Sequence, residues 1–271
     1  MATPFISFLT DFGLDSAPAT CRGVIWSICP QARINDLSHT SRRHAVRDGA
    51  ILLWSSVPYL PVGVHLAVVD PGVGTSRRGV AIEVARGDRF VGPDNGLLLP
   101  AAERLGGIVA AHALTERRYW RETVSSTFHG RDIFAPVTAH LASGVPVDRL
   151  GPAIDPAELV RLPLPEAMTA DGQLRTSVLF VDAFGNCRLA GHPADLAALR
   201  GRLEPGDRFR VRVEGREEMV PWQPTFGAVA PGELVLYEDA DYAGLAIAEN
   251  QGSASARLEL ENDTAVLIEP A

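Results

Sequence analysis

In the first half of the chain, short apolar runs typical of strands alternate with segments in which apolar residues follow helical spacing. A short apolar run, ISFL, begins at Ile6 and ends at a polar loop, and helical spacing follows from Pro18 until Pro30 stops it. The alternation continues through the strands RINDL, VHLAVV and IVAAHAL, the helices HAVRDGAILLWSSV and DIFAPVTAHLASG, the hairpin GVAIEVARGDRFVG and a helix near residues 96–105. Buried apolar strands between helices predict an α/β fold with a mostly parallel central sheet.

The pattern changes after Gly151, where four prolines fall within one stretch of little periodicity. We therefore predict an N-terminal α/β domain over residues 1–155, a proline-rich linker over 156–172 and a C-terminal β-rich domain over 173–271. One short helix, PADLAALRG, interrupts the predicted strands RTSVLFVDAF, DRFRVRVEG, EEMVPW, GELVLYED, GLAIAEN, ARLELE and TAVLIEP. Short strands at this spacing predict a small barrel or sandwich.

Composition narrows the class of protein further. The 271 residues carry a formal net charge of −8, which argues against nucleic acid or an anionic membrane as the main partner. No apolar run reaches the length of a membrane span, and the first twelve residues do not resemble a signal peptide. The three cysteines form no C-x-x-C pair, so neither a disulfide framework nor a cysteine zinc site is predicted. We expect a soluble, cytoplasmic protein.

The stretch VVDPGVGTSRR joins the end of an apolar strand to two arginines. Asp70 stands where ligands bind in open α/β sheets, and two glycines allow a sharp turn before Arg77. A phosphate-binding loop is excluded because G-x-x-x-x-G-K-[ST] is absent. From these residues alone, a functional carboxylate and a turn-capping aspartate remain equally open.

The stretch SSTFHGRD places His129 in a polar loop just before a helix. Histidine handles protons near neutral pH, yet a lone histidine in this position more often caps the helix. No G-x-S-x-G elbow supports an esterase. The other histidines lack metal-ligand spacing, so no metal site is predicted.

Two further aspartates, Asp11 in LTDFG and Asp182 in VDAFGN, each follow an apolar strand and precede Phe-Gly. A carboxylate in that position binds ribose hydroxyls or an ammonium group, and a neighbouring phenylalanine stacks on a flat base. An Asx-turn that ends the strand explains either aspartate equally well. The stretch VGPDNG, in contrast, is typical of an ordinary turn before a helix.

Taken together, LTDFG, DLSH, VHLAVVDPGVGTSRR, FVGPDNGLL, TFHGRD and DAFGN resemble the S-adenosyl-L-methionine hydroxide adenosyltransferase family, relatives of the fluorinase and chlorinase enzymes. The resemblance runs from Phe5 to about Ala256. It implies an N-terminal α/β domain, a C-terminal β-barrel-like domain and a homotrimer with active sites between neighbouring subunits.

The resemblance also implies an activity, the hydrolysis of S-adenosyl-L-methionine to adenosine and L-methionine without metal or cofactor. Its catalytic residues map onto Asp70, Arg77 and His129. The sulfonium makes methionine a good leaving group, so the site has to supply an oxygen nucleophile in line with the C5′–S bond. Arg77 would favour the deprotonated water, and Asp70 and His129 would orient it. Which of the two accepts the proton stays open.

Binding roles carry over by position in the same resemblance. Asp11 matches the residue that grips the ribose diol, and Phe128 lines the ribose and the reaction centre. The remaining matches are Asp182 for the methionine ammonium, Phe184 and Asn186 for adenine, and Gln251 in an adenine-facing loop. Where relatives carry Ser-Ser-Gly or Ser-Arg-Gly to bind the methionine carboxylate, this chain has Asp241, Tyr242 and Ala243, so the binding of that carboxylate stays open.

Two other functions remain open from the sequence. Halide-dependent adenosyl transfer is one, although the halogenases carry a tyrosine and a serine where this chain has Asp70 and Gly130. They also have an extra loop, for which the fifteen residues between Arg78 and Asp94 leave no room. The other is a non-catalytic protein that binds S-adenosylmethionine or adenosine, which the altered residues at 241–243 favour.

Overall fold

The computed structural model describes residues 3–242 and 244–271. The chain forms two compact units, one that extends to Leu162 and one from Pro163 to Ala271. The boundary between them falls within the proline-rich stretch at 156–172. Among the described residues, no helix is long and apolar enough to cross a membrane.

The first unit is built on a six-stranded sheet in the order β2-β1-β3-β5-β4-β6. The strands are β1 (Phe5–Thr10), β2 (Arg33–Ser38), β3 (Val64–Val68), β4 (Gly79–Val84), β5 (Arg89–Pro93) and β6 (Ile108–Ala113). Strands β2, β1, β3 and β5 pair in parallel, and β4 runs antiparallel between β5 and β6. The predicted mostly parallel sheet and the hairpin are thus confirmed.

Helices cover both faces of this sheet. They are α1 (Ser16–Ile28), α2 (Val46–Ser56), α3 (Leu99–Arg104), a π-helix (Gly130–Phe134) and α4 (Ala135–Ala142). Neighbouring residues of a strand point to opposite faces, and Phe8 and Leu9 of β1 belong to two different cores, each completely buried. Burial on both faces explains why the central strands β1 and β3 read as mostly apolar runs.

The order of the strands creates a crevice at one edge of the sheet. The chain leaves β1 for β2 on one side and then returns past β1 to form β3 on the other. At such a switch point the connections after the two strands diverge and leave a space at their carboxyl ends, where ligands bind in open α/β sheets. Asp11 follows β1 at this edge, and Asp70 follows β3 after Val69.

The second unit is a nearly closed antiparallel sheet in the order β11-β10-β14-β8-β9-β13-β12, with β7 paired to β8. A bridge between Trp222 and Leu236 joins its two ends, which confirms a barrel-like domain. Its elements are β7 (Met168–Ala170), β8 (Gln173–Val181), β9 (Cys187–Leu189), α5 (Pro193–Arg200), β10 (Arg208–Val213), β11 (Arg216–Pro221), β12 (Leu234–Asp239), β13 (Gly244–Glu249), α6 (Ala254–Leu258) and β14 (Ala265–Pro270).

One predicted strand of this unit, ARLELE, is wrong. Helix α6 occupies its first half, because the Ser253 hydroxyl caps the helix by accepting a hydrogen bond from the Ala256 amide at 3.1 Å. Leu258 and Leu260 are both buried in the same core, and this spacing of two imitates a strand. Glu259 between them is left-handed, with φ of 54°, and ends the helix.

Candidate active site

A cleft of about 260 Å³ lies at the crevice between the carboxyl ends of β1 and β3. Its walls include the predicted residues Asp11, Asp70, Phe128 and His129. Phe12 completes the apolar part of the wall, and its ring meets the edge of the Phe128 ring at 5.6 Å between centroids. Carboxylates, an imidazole and two aromatic rings therefore face one small space.

Asp70 and Arg77 form a two-pronged ion pair beside this cleft. Arg77 Nε donates to Asp70 Oδ1 at 3.1 Å, and Arg77 Nη2 donates to Asp70 Oδ2. Only 10% of the Arg77 side chain and 5% of the Asp70 side chain are exposed. Because both bonds come from a rigid planar group, they fix the direction of the carboxylate as well as its charge.

The turn that brings Arg77 back to Asp70 depends on Gly74. Its φ of +77° is a conformation that other residues adopt rarely, and a Cβ built there would lie 2.3 Å from the Ser126 carbonyl oxygen. The turn is therefore pressed against the loop that precedes His129. This close approach explains why the spacing from Asp70 to Arg77 includes a glycine.

His129 completes the cluster. Its Nδ1 lies 3.3 Å from Arg77 Nη2, and the residue stands immediately before the π-helix. Burial, followed by the positive charge of Arg77, lowers the pKa of His129, against opposing effects of Asp70 and Asp132. A guanidinium only donates hydrogen bonds, so Nδ1 accepts and the neutral ring carries its proton on Nε2. The three predicted catalytic residues are thus brought together.

Asp11 is held by a backbone amide at the wall of the cleft. Its Oδ2 accepts a hydrogen bond from the amide of His44 at 2.8 Å, and His44 is left-handed with φ of 65°. Thr10 Oγ1 accepts from the amide of Phe12 at 3.2 Å and contacts His39 Nδ1 at 2.8 Å. The DLSH motif, which ends at His39, therefore supports the turn that presents Asp11.

The other predicted binding residues belong to the second unit. Asp182 Oδ1 accepts hydrogen bonds from the amides of Phe184 and Asn186 at 2.8 and 3.0 Å, and Asp182 Oδ2 accepts from Asn186 Nδ2 at 2.9 Å. The Asx-turn interpretation of Asp182 is thus present in the structure. The turn holds out the Phe184 ring, which is 78% exposed.

Two further positions of the second unit bear on the predicted binding site. Gln251 is exposed and left-handed, with φ of 57°. The amides of Asp241 and Tyr242 both donate to Asp239 Oδ1, at 3.1 and 3.2 Å. These two amides are therefore engaged within their own turn, and Ala243 lies outside the described residues.

Sequence reasoning gave no role to two residues that the structure places at the site. From the sequence, His44 only begins a predicted helix and lacks metal-ligand spacing, and Asp132 only ends TFHGRD at the start of a predicted helix. Nothing in the residue pattern marks either one, because a left-handed backbone and a buried charge arise from tertiary contacts. Within the described ranges, no group of three or more His, Cys, Asp or Glu side chains is arranged to hold a metal ion.

An α/β unit with this cluster at its ligand-binding edge, followed by a barrel-like β unit, defines a two-domain α/β enzyme. The chain belongs to the SAM hydroxide adenosyltransferase family. The N-terminal domain of that family matches residues 6–151, and its C-terminal domain matches residues 176–267.

Individual relatives agree with this assignment. The chain is 48% identical to an (R)-S-adenosyl-L-methionine hydrolase of Salinispora tropica over 93% of each chain, and 40% identical to one of Thermus thermophilus over 97% of this chain and 98% of that one. A fluorinase of Nocardia brasiliensis is 28% identical over 92% and 91%. The crystal structure of an uncharacterized conserved protein from Thermotoga maritima, 34% identical, superposes with a TM-score of 0.89 over 97% of this chain and 99% of that chain.

Proposed function

We propose that this protein hydrolyses S-adenosyl-L-methionine to adenosine and L-methionine. The observation that carries the proposal is the contact of Arg77 with Asp70 and His129, both of which line the cleft. The hydrolases of Salinispora tropica and Thermus thermophilus are 48% and 40% identical to the chain, whereas the fluorinase of Nocardia brasiliensis is 28% identical. That difference supports water rather than a halide as the nucleophile.

The reaction is a displacement at C5′. The water oxygen forms a bond to C5′ while the C5′–S bond breaks. The electron pair of the broken bond stays on sulfur, which becomes the neutral thioether of methionine. The water loses one proton, so the products are adenosine, methionine and a proton. Attack in line with the leaving sulfur inverts the configuration at C5′. The site contributes mainly by holding the water at near-attack distance.

The tautomer of His129 bears on the question of the proton. Arg77 donates a hydrogen bond to His129 Nδ1, and the ring proton is on Nε2. We therefore propose that His129 Nε2 donates a hydrogen bond that orients the water oxygen. Protonation at Nδ1 would set a second cation against the guanidinium. Asp70 has acceptor capacity beyond its two bonds to Arg77 and lines the same cleft, so it is the proposed proton acceptor.

We propose that Asp11 binds the ribose diol and that Phe128 packs against the ribose and the reaction centre. The bond from the His44 amide to Asp11 leaves the second carboxylate oxygen for substrate hydroxyls. Charge on the transition state is met by side chains of this chain, so the proposed chemistry asks for no metal and no cofactor.

The second unit is proposed to bind the base and the amino acid, with Asp182 at the methionine ammonium and Phe184, Asn186 and Gln251 at adenine. The exposed Phe184 ring on its braced turn supports a stacking contact. We propose that these residues serve a neighbouring subunit of a homotrimer. The engaged amides of Asp241 and Tyr242 argue against their binding the methionine carboxylate.

We also propose that the protein works in the cytoplasm. Its three cysteines, Cys21, Cys29 and Cys187, are all free and buried. Burial raises the pKa of the Cys21 and Cys187 thiols to about 12, so neither is a reactive thiolate at neutral pH. Unpaired structural cysteines agree with a reducing compartment.

Incubation with S-adenosylmethionine in oxygen-18 water tests the proposed function. We expect adenosine whose 5′-hydroxyl carries the label, detected by mass spectrometry, and unlabelled methionine. A parallel incubation with fluoride or chloride reports 5′-halo-adenosine, which would indicate halide transfer instead. Tight binding of S-adenosylmethionine with no adenosine at any pH from about 6 to about 9 would reject catalysis in favour of a binding protein.

A further inference from the structure

The TFHGRD stretch also contains a buried carboxylate, that of Asp132, three residues after His129. Its side chain is completely buried and accepts four hydrogen bonds. Asp132 Oδ1 accepts from Arg121 Nη1 at 3.0 Å and Arg131 Nε at 2.7 Å, and Oδ2 accepts from Arg131 Nη2 at 2.8 Å and the Ser125 amide at 2.9 Å. None of these groups belongs to the proposed reaction machinery.

Two of these bonds, from Arg121 and the Ser125 amide, tie together the two chain segments on either side of His129. Arg121 and Ser125 belong to the loop before it, and Asp132 lies in the π-helix that begins directly after it. The Asp132 carbonyl also accepts from the Arg121 amide at 2.9 Å. A π-helical turn is rare and is frequently found at functional sites. Asp132 is therefore the point that anchors this turn to the loop.

The hydrogen-bonded group around Asp132 also contacts the wall of the cleft. The Arg131 guanidinium, held on Asp132, lies 4.9 Å from the centre of the Phe128 ring. Phe128 in turn packs on Phe12, next to Asp11. A cation over an aromatic face is attractive, so Asp132 indirectly fixes the ring that lines the reaction centre.

We propose that Asp132 is a positioning residue that holds the His129 imidazole at Arg77 and the Phe128 ring in the cleft wall. This inference rests on the proposed function for its catalytic meaning. The contact that it explains is the 3.3 Å approach of Arg77 Nη2 to His129 Nδ1. Displacement of a reacting group by about 1 Å costs roughly 100-fold in rate, so loosening this anchor has to reduce turnover.

Electrostatics add a second readout. The charged groups that act on His129 are Arg77, Asp70 and Asp132. The negative charge of Asp132 raises the pKa of His129, in opposition to burial and Arg77. Removal of that charge therefore lowers the imidazole pKa further.

The chain offers a matched control at the opposite edge of the sheet. Asp88 is also completely buried and binds the Nε and Nη2 atoms of Arg86 at 2.6 and 3.0 Å. Both Arg86 and Arg131 are 29% exposed. Asp88 precedes β5, so it lies at the amino-terminal edge of the parallel strands, away from the cleft. Removal of the Asp88 carboxylate therefore measures how much stability is lost when such an ion pair is broken, with no change next to His129.

The experiment compares Asp132→Asn with Asp88→Asn. We expect both variants to melt at lower temperature, and only Asp132→Asn to lose about 10- to 100-fold in kcat for adenosine formation, with adenosine affinity changed far less. Equal losses of kcat in the two variants, or an unchanged kcat in Asp132→Asn, would overturn the proposal. If either carboxamide variant does not fold, Arg131→Lys and Arg86→Lys provide the same comparison on partly exposed side chains.

Nitrogen NMR of the His129 ring makes the test independent of turnover. In the unaltered protein we expect an unprotonated Nδ1, and in Asp132→Asn a mixture of tautomers and a lower imidazole pKa, while Asp88→Asn leaves both unchanged. A fixed tautomer in all three proteins would reject the positioning role even if no adenosine forms. Absence of adenosine from the unaltered protein would reject only the proposed function.

Discussion

The Arg77 guanidinium binds both carboxylate oxygens of Asp70, seven residues earlier in the chain. The same Nη2 atom lies 3.3 Å from His129 Nδ1, and the guanidinium stacks 5.2 Å from the centre of the Phe134 ring. One planar group therefore sets the orientation of the carboxylate, the tautomer of the imidazole and the distance between them. A point charge on a flexible stem cannot do all three.

Replacement of Arg77 by lysine tests this geometry. We expect Arg77→Lys to reduce kcat by about 100-fold, because an ammonium keeps the charge but loses the two-pronged bond and the contact with His129. Adenosine affinity is expected to change little. The measurement is steady-state adenosine formation together with calorimetric binding of adenosine.

The neighbouring arginine provides the control. Arg78 makes a similar bond pair to a different carboxylate, with Nε and Nη2 at 3.0 and 2.7 Å from Asp94 Oδ2. Arg78→Lys should therefore lose far less kcat than Arg77→Lys. Comparable losses in the two variants would show that a positive charge anywhere near the turn suffices.

The pH dependence of kcat/KM is the second prediction. Burial and Arg77 lower the pKa of His129 from its ordinary value of 6.5, so the ring is neutral through the physiological range. We expect kcat/KM to be level near pH 7 and to fall only as pH drops below 6.5, when protonation of Nδ1 breaks the contact with Arg77. A half-maximal kcat/KM at or above pH 6.5 would contradict this prediction.

A second half-buried histidine separates this titration from a general loss of the fold. Burial also lowers the pKa of His140, which lies in α4 against Tyr119. His140→Gln should leave the acid limb of kcat/KM where it is. An acid limb that disappears in this variant would assign the titration to the fold rather than to His129.

Much of the fold was readable from the sequence because its strands are buried in a simple way. Strand β1 is apolar on both faces since it lies between two cores, and its run of apolar residues predicts this burial. The three-residue strand Cys187–Leu189 was not predicted, because so few residues show no period. Helix α6 was mistaken for a strand because its capping serine is a stronger determinant than the alternation that follows it.

The candidate site was readable only where a motif carried it. The catalytic roles of Asp70, Arg77 and His129 came from the resemblance. The glycines of VVDPGVGTSRR predict a sharp turn before Arg77, but the close approach of Gly74 to the Ser126 carbonyl is a tertiary contact that no residue pattern specifies. Asp132 shows the limit most clearly, since aspartate side chains are rarely buried completely and the structure buries this one. Burial of a charge is a property of the assembled fold.

The third prediction concerns a second histidine–aspartate pair, which resembles a catalytic triad but has no access to substrate. His65 Nδ1 lies 2.7 Å from Ser7 Oγ and His65 Nε2 lies 2.9 Å from Asp88 Oδ1, with all three residues completely buried. We assign this array a structural role that links β1, β3 and the start of β5. Asp88→Asn should lower the free energy of unfolding at neutral pH by about 3 kcal/mol.

The sign of the pH effect follows from the Asp88 carboxyl. Burial alone raises its pKa, but hydrogen bonds from His65, Arg86 and the Gly63 amide outweigh burial and hold the pKa well below its ordinary value. The folded protein therefore gains stability above the unfolded pKa of about 3.9 and loses it as pH falls toward the folded pKa. Urea titrations at several pH values should show the unaltered protein and Asp88→Asn converging in acid, and a constant difference would contradict this account.

The fourth prediction tests whether active sites form between subunits. The proposed catalytic residues lie in the first unit and the proposed adenine-binding residues in the second, so a site shared by neighbours takes one set from each subunit. His129→Ala and Asn186→Ala should each be nearly inactive alone. When the two variants are unfolded together and reassembled at equal amounts, about one quarter of the shared sites combine an intact first unit with an intact second unit. We therefore expect activity to return to about one quarter of that of the unaltered protein.

Reassembly of each variant alone is the control, and sedimentation should report a trimer throughout. A reassembled mixture that stays as inactive as its components would place each site within one chain.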